Sequence, residues 1–214
     1  MSPLRHEIRR LSTLSAPLVA TQLLTMLLWT VDLLLVGRVS VEALNAVTLG
    51  RVWIMGTAVS AMGLLFGLDP LASQAHGARD RKRLGDTLLH GSALALLLSL
   101  PLAVLWRCTG PLLEAFGQQP ETARLAHDYV QTQIPALPFF LLFIALKQYL
   151  QARGITRPAM WVSLGANVFH AVAAWVLIFG HAGLPPMGVV GAGIATAATE
   201  VLMVVALLVL FSWR

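Results

Sequence analysis

Cysteine is almost missing from this chain: Cys108 stands alone in 214 residues. An internal disulfide and a thiolate metal cluster are thereby excluded, and Cys108 reads as a small apolar filler. Charge is also scarce, at 12% of residues, where soluble domains carry about 25%. Enzyme signatures are lacking too, with no Gly-x-Ser-x-Gly, no His-Glu-x-x-His and no phosphate-binding glycine loop. What is abundant is apolar: 57% of the residues, with a mean hydropathy of +0.75. A soluble chain of that composition has too little polar surface to cover its core, whereas lipid solvates an apolar exterior. The net charge of +5 and pI near 10.3 do not mark a nucleic-acid partner. The basic residues sit in short islands between apolar stretches, as in membrane proteins, rather than on one face or segment.

A spanning helix needs about 20 mainly apolar residues. Six stretches qualify: Leu14–Val36, Ala46–Leu68, Thr87–Trp106, Tyr129–Leu150, Pro158–Phe179 and Val189–Phe211. The first is too long for a signal h-region and carries Gln22 and Asp32, so it reads as a span rather than a cleaved leader. The expected fold is all-α: a polytopic membrane protein with a single six-helix bundle over residues 1–214. Lys and Arg fall unevenly on the two sides. Arg5, Arg9, Arg10, Arg79, Arg81, Lys82, Arg83, Lys147, Arg153, Arg157 and Arg214 lie on one side, against Arg38, Arg51, Arg107 and Arg124 on the other. Positive residues mark the cytoplasmic side, so both termini are expected there.

Polar groups at membrane depth are costly and normally face a partner or a wet cavity. Gln22, Thr25, Trp29 and Asp32 follow one another at helical spacing and share one face of the first span. They form a polar and aromatic stripe that ends in a carboxylate. A carboxylate caught between desolvation and favourable partners can exchange a proton or a metal cation; the bland alternative is simple hydration near the outer interface. Glu200, with Thr196 and Thr199 beside it on the sixth span, is either a second exchanging carboxylate or a partner for a basic group of another helix. Asn167 and His170 share a face of the fifth span, as ligands or as hydrogen-bonded packing residues. Arg51 and Lys147 are expected to snorkel to the two interfaces. Gly191, Gly193 and Ala195 allow close helix approach, and Pro17, Pro101, Pro135 and Pro138 can bend their helices.

These residues support a family resemblance. The run Trp29-Thr-Val-Asp-Leu-Leu-Leu-Val-Gly-Arg38 and the run Gly63-Leu-Leu-Phe-Gly-Leu-Asp-Pro-Leu-Ala-Ser-Gln-Ala-His-Gly-Ala-Arg-Asp80 resemble the first two helices of the multidrug and toxin extrusion (MATE) transporters. Leu150-Gln-Ala-Arg-Gly-Ile-Thr-Arg-Pro-Ala-Met160 is similar as well, as is Trp175-Val-Leu-Ile-Phe-Gly180 followed by Gly188-Val-Val-Gly-Ala-Gly-Ile-Ala-Thr196. The resemblance implies the first of two six-helix lobes, with the second lobe, or another copy, as partner. The chain is then a fragment, a truncation or a half-transporter in a bacterial inner membrane.

By resemblance, Asp32 matches an aspartate implicated in proton- or sodium-coupled export of small organic, often cationic compounds, and Pro17 the point at which the first helix bends. Gln22, Thr25 and Trp29 would line the substrate cavity, with Asp32, Asn167, His170 and Glu200 in cation or proton coupling. Where the family often has a polar pair on the fifth helix, this chain has His170 and Ala174. That loss favours a proton over sodium and implies no cofactor beyond the coupling ion. A drug and a proton would then compete for the Asp32 carboxylate. Two other readings stay open: a lipid-linked oligosaccharide flippase of the same superfamily, which should line its cavity with basic groups, and a non-transporting membrane subunit.

Overall fold

The computed structural model describes residues 3–212, without the side chains of residues 3–10, 12–14 and 211–212. Arg214 and the side chains of Arg5, Arg9 and Arg10, counted in the charge asymmetry, therefore lie outside the described residues. The helices are α1 (Pro3–Val36), α2 (Val41–Phe66), α3 (Leu68–Gly77), α4 (Arg81–Arg107), α5 (Thr109–Ala115), α6 (Pro120–Gln133), α7 (Leu137–Ala152), α8 (Arg157–Phe179) and α9 (Gly188–Ser212). Among the described residues, six helical stretches are long and apolar enough to cross a membrane, one over each expected span. This is a multi-pass membrane protein.

Two spans are interrupted. Pro70 has no N–H for the Phe66 carbonyl, and the second span resets at Gly67 between α2 and α3. In the fourth, a 3₁₀ turn, Ile134–Ala136, separates α6 from α7, with Pro135 inside the turn and Pro138 at the start of α7. Pro17 and Pro101 sit within continuous helices. The helical structure also reaches further than hydropathy suggested between the third and fourth spans. There α5 and the start of α6 occupy a stretch with no apolar run, α6 opening on Pro120 with Glu121 in its first turn.

Short, well-capped turns fix the order of the spans. The Ser40 side chain accepts from the Ala43 N–H at 3.0 Å to start α2, and Asp80 accepts from the Arg83 N–H at 2.9 Å to start α4. Gly180 ends α8 at φ +74, where a Cβ would collide with the Pro185–Pro186 backbone. The α6–α7 span is the most buried of the six. In lipid, helices associate through close packing rather than hydrophobic expulsion, and glycines supply the contact here. A Cβ on Gly191 would lie 2.7 Å from the Leu177 backbone of α8, and one on Gly50 of α2 2.8 Å from the Tyr129 ring. Gly193 abuts the Tyr129 carbonyl and the Thr132 hydroxyl of α6. The exposed large residues on the outside, such as Val104, Trp161 and Val172, face what would be lipid.

Candidate functional site

Five helices converge on Asp32. Its side chain is fully buried on α1. From α8, the His170 Nε2 lies 2.8 Å from Asp32 Oδ1, and the imidazole is equally buried. From α9, the Thr196 hydroxyl donates to Oδ2 at 3.2 Å. From α2, the Arg51 guanidinium donates through Nη2 to the same Oδ2, and through Nη1 to the Trp29 carbonyl at 2.9 Å. From α6, the Tyr129 hydroxyl stands 3.4 Å from Nη2. A carboxylate this deep is tolerated because a cation and two further polar groups meet it.

The imidazole continues the network. His170 Nδ1 lies 3.1 Å from the Thr199 hydroxyl oxygen, and that hydroxyl donates to the Ala195 carbonyl at 2.7 Å. Hydroxyl rotors and imidazole tautomers follow the network around them, and here they admit two proton counts. With the Thr199 hydrogen on Ala195, Nδ1–H donates to Thr199. The short Nε2–Oδ1 contact then holds a further proton, as an imidazolium or as a carboxylic acid. With the hydroxyl turned to Nδ1, Nε2–H donates to a plain carboxylate and the extra proton is gone. The same heavy-atom geometry is compatible with either hydrogen-bond pattern.

A cavity of about 170 Å³ lies against this cluster. Drug-sized pockets are usually about 300–1,000 Å³, so this space suits one wall of a larger cavity better than a complete pocket. Gln22, Thr25, Trp29, Asn167 and Glu200 line it, and so do Arg51, Lys147, Thr196 and Thr199. Asp32 and His170 do not reach the lining; they lie behind Arg51, Thr196 and Thr199, which touch them on one side and the cavity on the other. Asn167 donates to the Leu24 carbonyl at 3.0 Å and the Ser163 carbonyl at 2.8 Å, tying α8 to α1. Its Oδ1 and the Gln133 Nε2 are buried with no hydrogen-bond partner among the described residues. Glu200 and Lys147 take part in no ion pair among the described residues. Pro17 is buried in α1, and its carbonyl accepts from the Thr21 hydroxyl at 2.8 Å.

Two sequence expectations are corrected. Arg51 does not snorkel outward. The helix that carries it begins at Val41 rather than near Ala46, so Arg51 lies ten residues in, about 15 Å along the axis at 1.5 Å per residue. Side chains tilt toward a helix N-terminus, which carries the guanidinium back to Asp32. Lys147 likewise faces the cavity rather than the interface. The lining thus holds two basic residues, Arg51 and Lys147, and one acidic one, Glu200. Arg51 is committed to Asp32, which leaves one uncommitted charge of each sign. Sequence reasoning also passed over the role of Tyr129, which hydropathy marks only as the first residue of the fourth span.

The fold and the buried charge cluster define the class first: a polytopic helical membrane protein with a polar cavity against its bundle. The MatE family profile matches residues 17–176, and the chain belongs to that family, whose members are transporters and not enzymes. It is 34% identical over 201 residues to a probable multidrug resistance protein NorM of Bradyrhizobium diazoefficiens, covering 94% of this chain and 43% of that protein. It is 34% identical over 203 residues to multidrug and toxin extrusion protein 1 of Oryctolagus cuniculus, covering 94% of this chain and 35% of that one. Among solved structures, the eukaryotic MATE transporter AtDTX14 superposes with a TM-score of 0.89 at 26% identity, over 97% of this chain and 46% of that one. The chain spans less than half the length of these relatives.

Proposed function

We propose that this chain forms the N-terminal lobe of a proton-coupled exporter of small organic, often cationic compounds. In this reading it sits in a bacterial inner membrane with both termini cytoplasmic, and a second six-helix lobe or another copy completes the cavity. The observation that carries the reading is the Asp32–His170 contact of 2.8 Å behind the cavity wall, in a network that accepts either of two proton counts. Both groups come from helices that cross the membrane, so movement of α1 against α8 would change their access to water. Pro17 supplies a point at which α1 can flex. Proton coupling is favoured over sodium because an imidazole and a guanidinium occupy the carboxylate where metal ligands would be needed. Glu200, uncommitted and on the lining, is the carboxylate placed to attract a cationic substrate, with Gln22, Thr25, Trp29 and Asn167 beside it.

The test is efflux of an organic cation from energised vesicles that contain the complete transporter, with and without an imposed pH gradient. Asp32→Asn combined with Arg51→Gln removes both charges of the buried pair together, so lost activity is not simply lost fold. That double variant should bind the probe yet fail to export it in response to the gradient. Gradient-driven export at the unmodified rate would overturn the assignment of Asp32.

A further inference from the structure

The groups that meet the Arg51 guanidinium nitrogens are all oxygens. Nη1 meets the Trp29 carbonyl at 2.9 Å, Nη2 meets Asp32 Oδ2, and the Tyr129 hydroxyl lies 3.4 Å away. The Thr196 hydroxyl stands 3.2 Å from the same Oδ2. A carboxylate, a backbone carbonyl, a phenol and an aliphatic hydroxyl together make a donor set that suits a hard cation. The set is also rigidly built. Gly50, the residue before Arg51, lets the Tyr129 ring rest on the α2 backbone, where a Cβ would stand 2.8 Å from Cδ1. Trp29 closes another side, its ring 5.8 Å from the guanidinium carbon. We propose that Arg51 is the resident, tethered counter-cation of this oxygen cage, and that a free alkali-metal cation takes its place once the guanidinium is removed.

Three features make the tether effective. The guanidinium is planar and permanently charged, and it engages two oxygens of α1 at once. Its side chain is 12% exposed, so an ion entering from the cavity must first displace it. The other charged groups on the cavity wall, Lys147 and Glu200, make no ion pair with it among the described residues. The unmodified lobe therefore has no vacancy for sodium at Asp32. This goes beyond the export reading and does not depend on the direction of transport, so efflux data and ion-binding data fail separately.

The experiment follows a hydrophobic carbodiimide, which modifies protonated carboxyls, at the Asp32 peptide of the purified full chain by mass spectrometry. Sodium chloride is compared with choline chloride at equal ionic strength. In the unmodified chain and in Arg51→Lys, labelling should be slow and indifferent to sodium. In Arg51→Gln the uncompensated carboxylate picks up a proton, so labelling should be several-fold faster, and sodium should return it towards the unmodified rate. Where Arg51→Gln does not hold its fold, Arg51→Ala purified with methylguanidinium in the vacated space carries the same test, with sodium replacing methylguanidinium as protectant. Sodium protection in the unmodified chain would overturn the proposal. So would a folded Arg51→Gln or Arg51→Ala whose Asp32 labelling ignores sodium.

Discussion

Asp32→Asn keeps the outline of the side chain and deletes its charge. The geometry around it makes this a severe change. Arg51 is 12% exposed and its carboxylate partner is 0% exposed, so the substitution leaves a guanidinium buried without a counter-charge. Removing one member of a buried pair costs about 3–5 kcal/mol. For chains of about this length 1 kcal/mol shifts the midpoint by about 2–4 °C, so the loss is on the order of 6–20 °C. Removing both charges avoids the orphaned ion. Asp32→Asn with Arg51→Gln should thus recover most of the loss, giving a coupling energy of about 3 kcal/mol, at the upper end for residues in contact. Tryptophan fluorescence of the unmodified chain, the two single variants and the double variant closes the cycle, with six tryptophans as reporters. A single variant that melts within about 2 °C of the unmodified chain, or strictly additive changes, would refute the buried-pair reasoning.

Other consequences are read with simpler assays. Glu200→Gln should weaken equilibrium binding of tetraphenylphosphonium about tenfold, equivalent to about 1.4 kcal/mol; unchanged affinity removes Glu200 from the substrate site. Cys108 is exposed and follows α4, so in intact cells a membrane-impermeant maleimide should label it from outside, and labelling only after lysis reverses the proposed topology. Gly193→Ala should cost about 1–3 kcal/mol in thermal unfolding, because a Cβ there would meet the Tyr129 carbonyl at 2.9 Å and overlap the Thr132 hydroxyl. Gly56→Ala, with nothing within 4 Å of its Cβ, is the matched control and should lose no stability.

The spans were legible because each needs a long apolar run, and lipid leaves the chain few other ways to satisfy its backbone. The stripe on α1 was legible for a similar reason. Helical spacing alone puts Gln22, Thr25, Trp29 and Asp32 on one face, and the first three do line the cavity. The partners of Asp32 were harder to find. Arg51 is 19 residues away across a turn, and its depth was misjudged because hydropathy starts the second span at Ala46, whereas Ser40 caps the helix earlier. His170 was grouped with Asp32 in cation or proton coupling by family resemblance. Its contact with Thr199, 29 residues away, depends on how α9 packs against α8, which no local pattern reports. The contact of Tyr129 with Arg51 depends likewise on tertiary packing, whereas the break at Ile134–Ala136 falls where Pro135 and Pro138 were expected to bend the helix.

The position of Asp32 behind the wall changes how a proton would act on a substrate. A drug and a proton cannot compete by touch for a carboxylate that no part of the cavity reaches, but Arg51 reaches both. When Asp32 is ionised, the guanidinium charge is cancelled where it sits. When the Asp32–His170 pair takes up a proton, that cancellation is lost and the cavity faces a net positive charge. At a separation of about 8 Å and an effective dielectric of about 20–40, one unit charge changes the energy of a bound cation by about 1–2 kcal/mol. The expected result is a roughly five- to thirty-fold weaker affinity for tetraphenylphosphonium on acidification. Glu200 is itself a titratable group on the lining, so the measurement belongs in Glu200→Gln. There the unmodified Asp32–Arg51 pair should retain the pH dependence, and adding Asp32→Asn with Arg51→Gln should abolish it. Affinity that falls equally with acid in both backgrounds would place the titrating group elsewhere and break the link between proton, guanidinium and substrate.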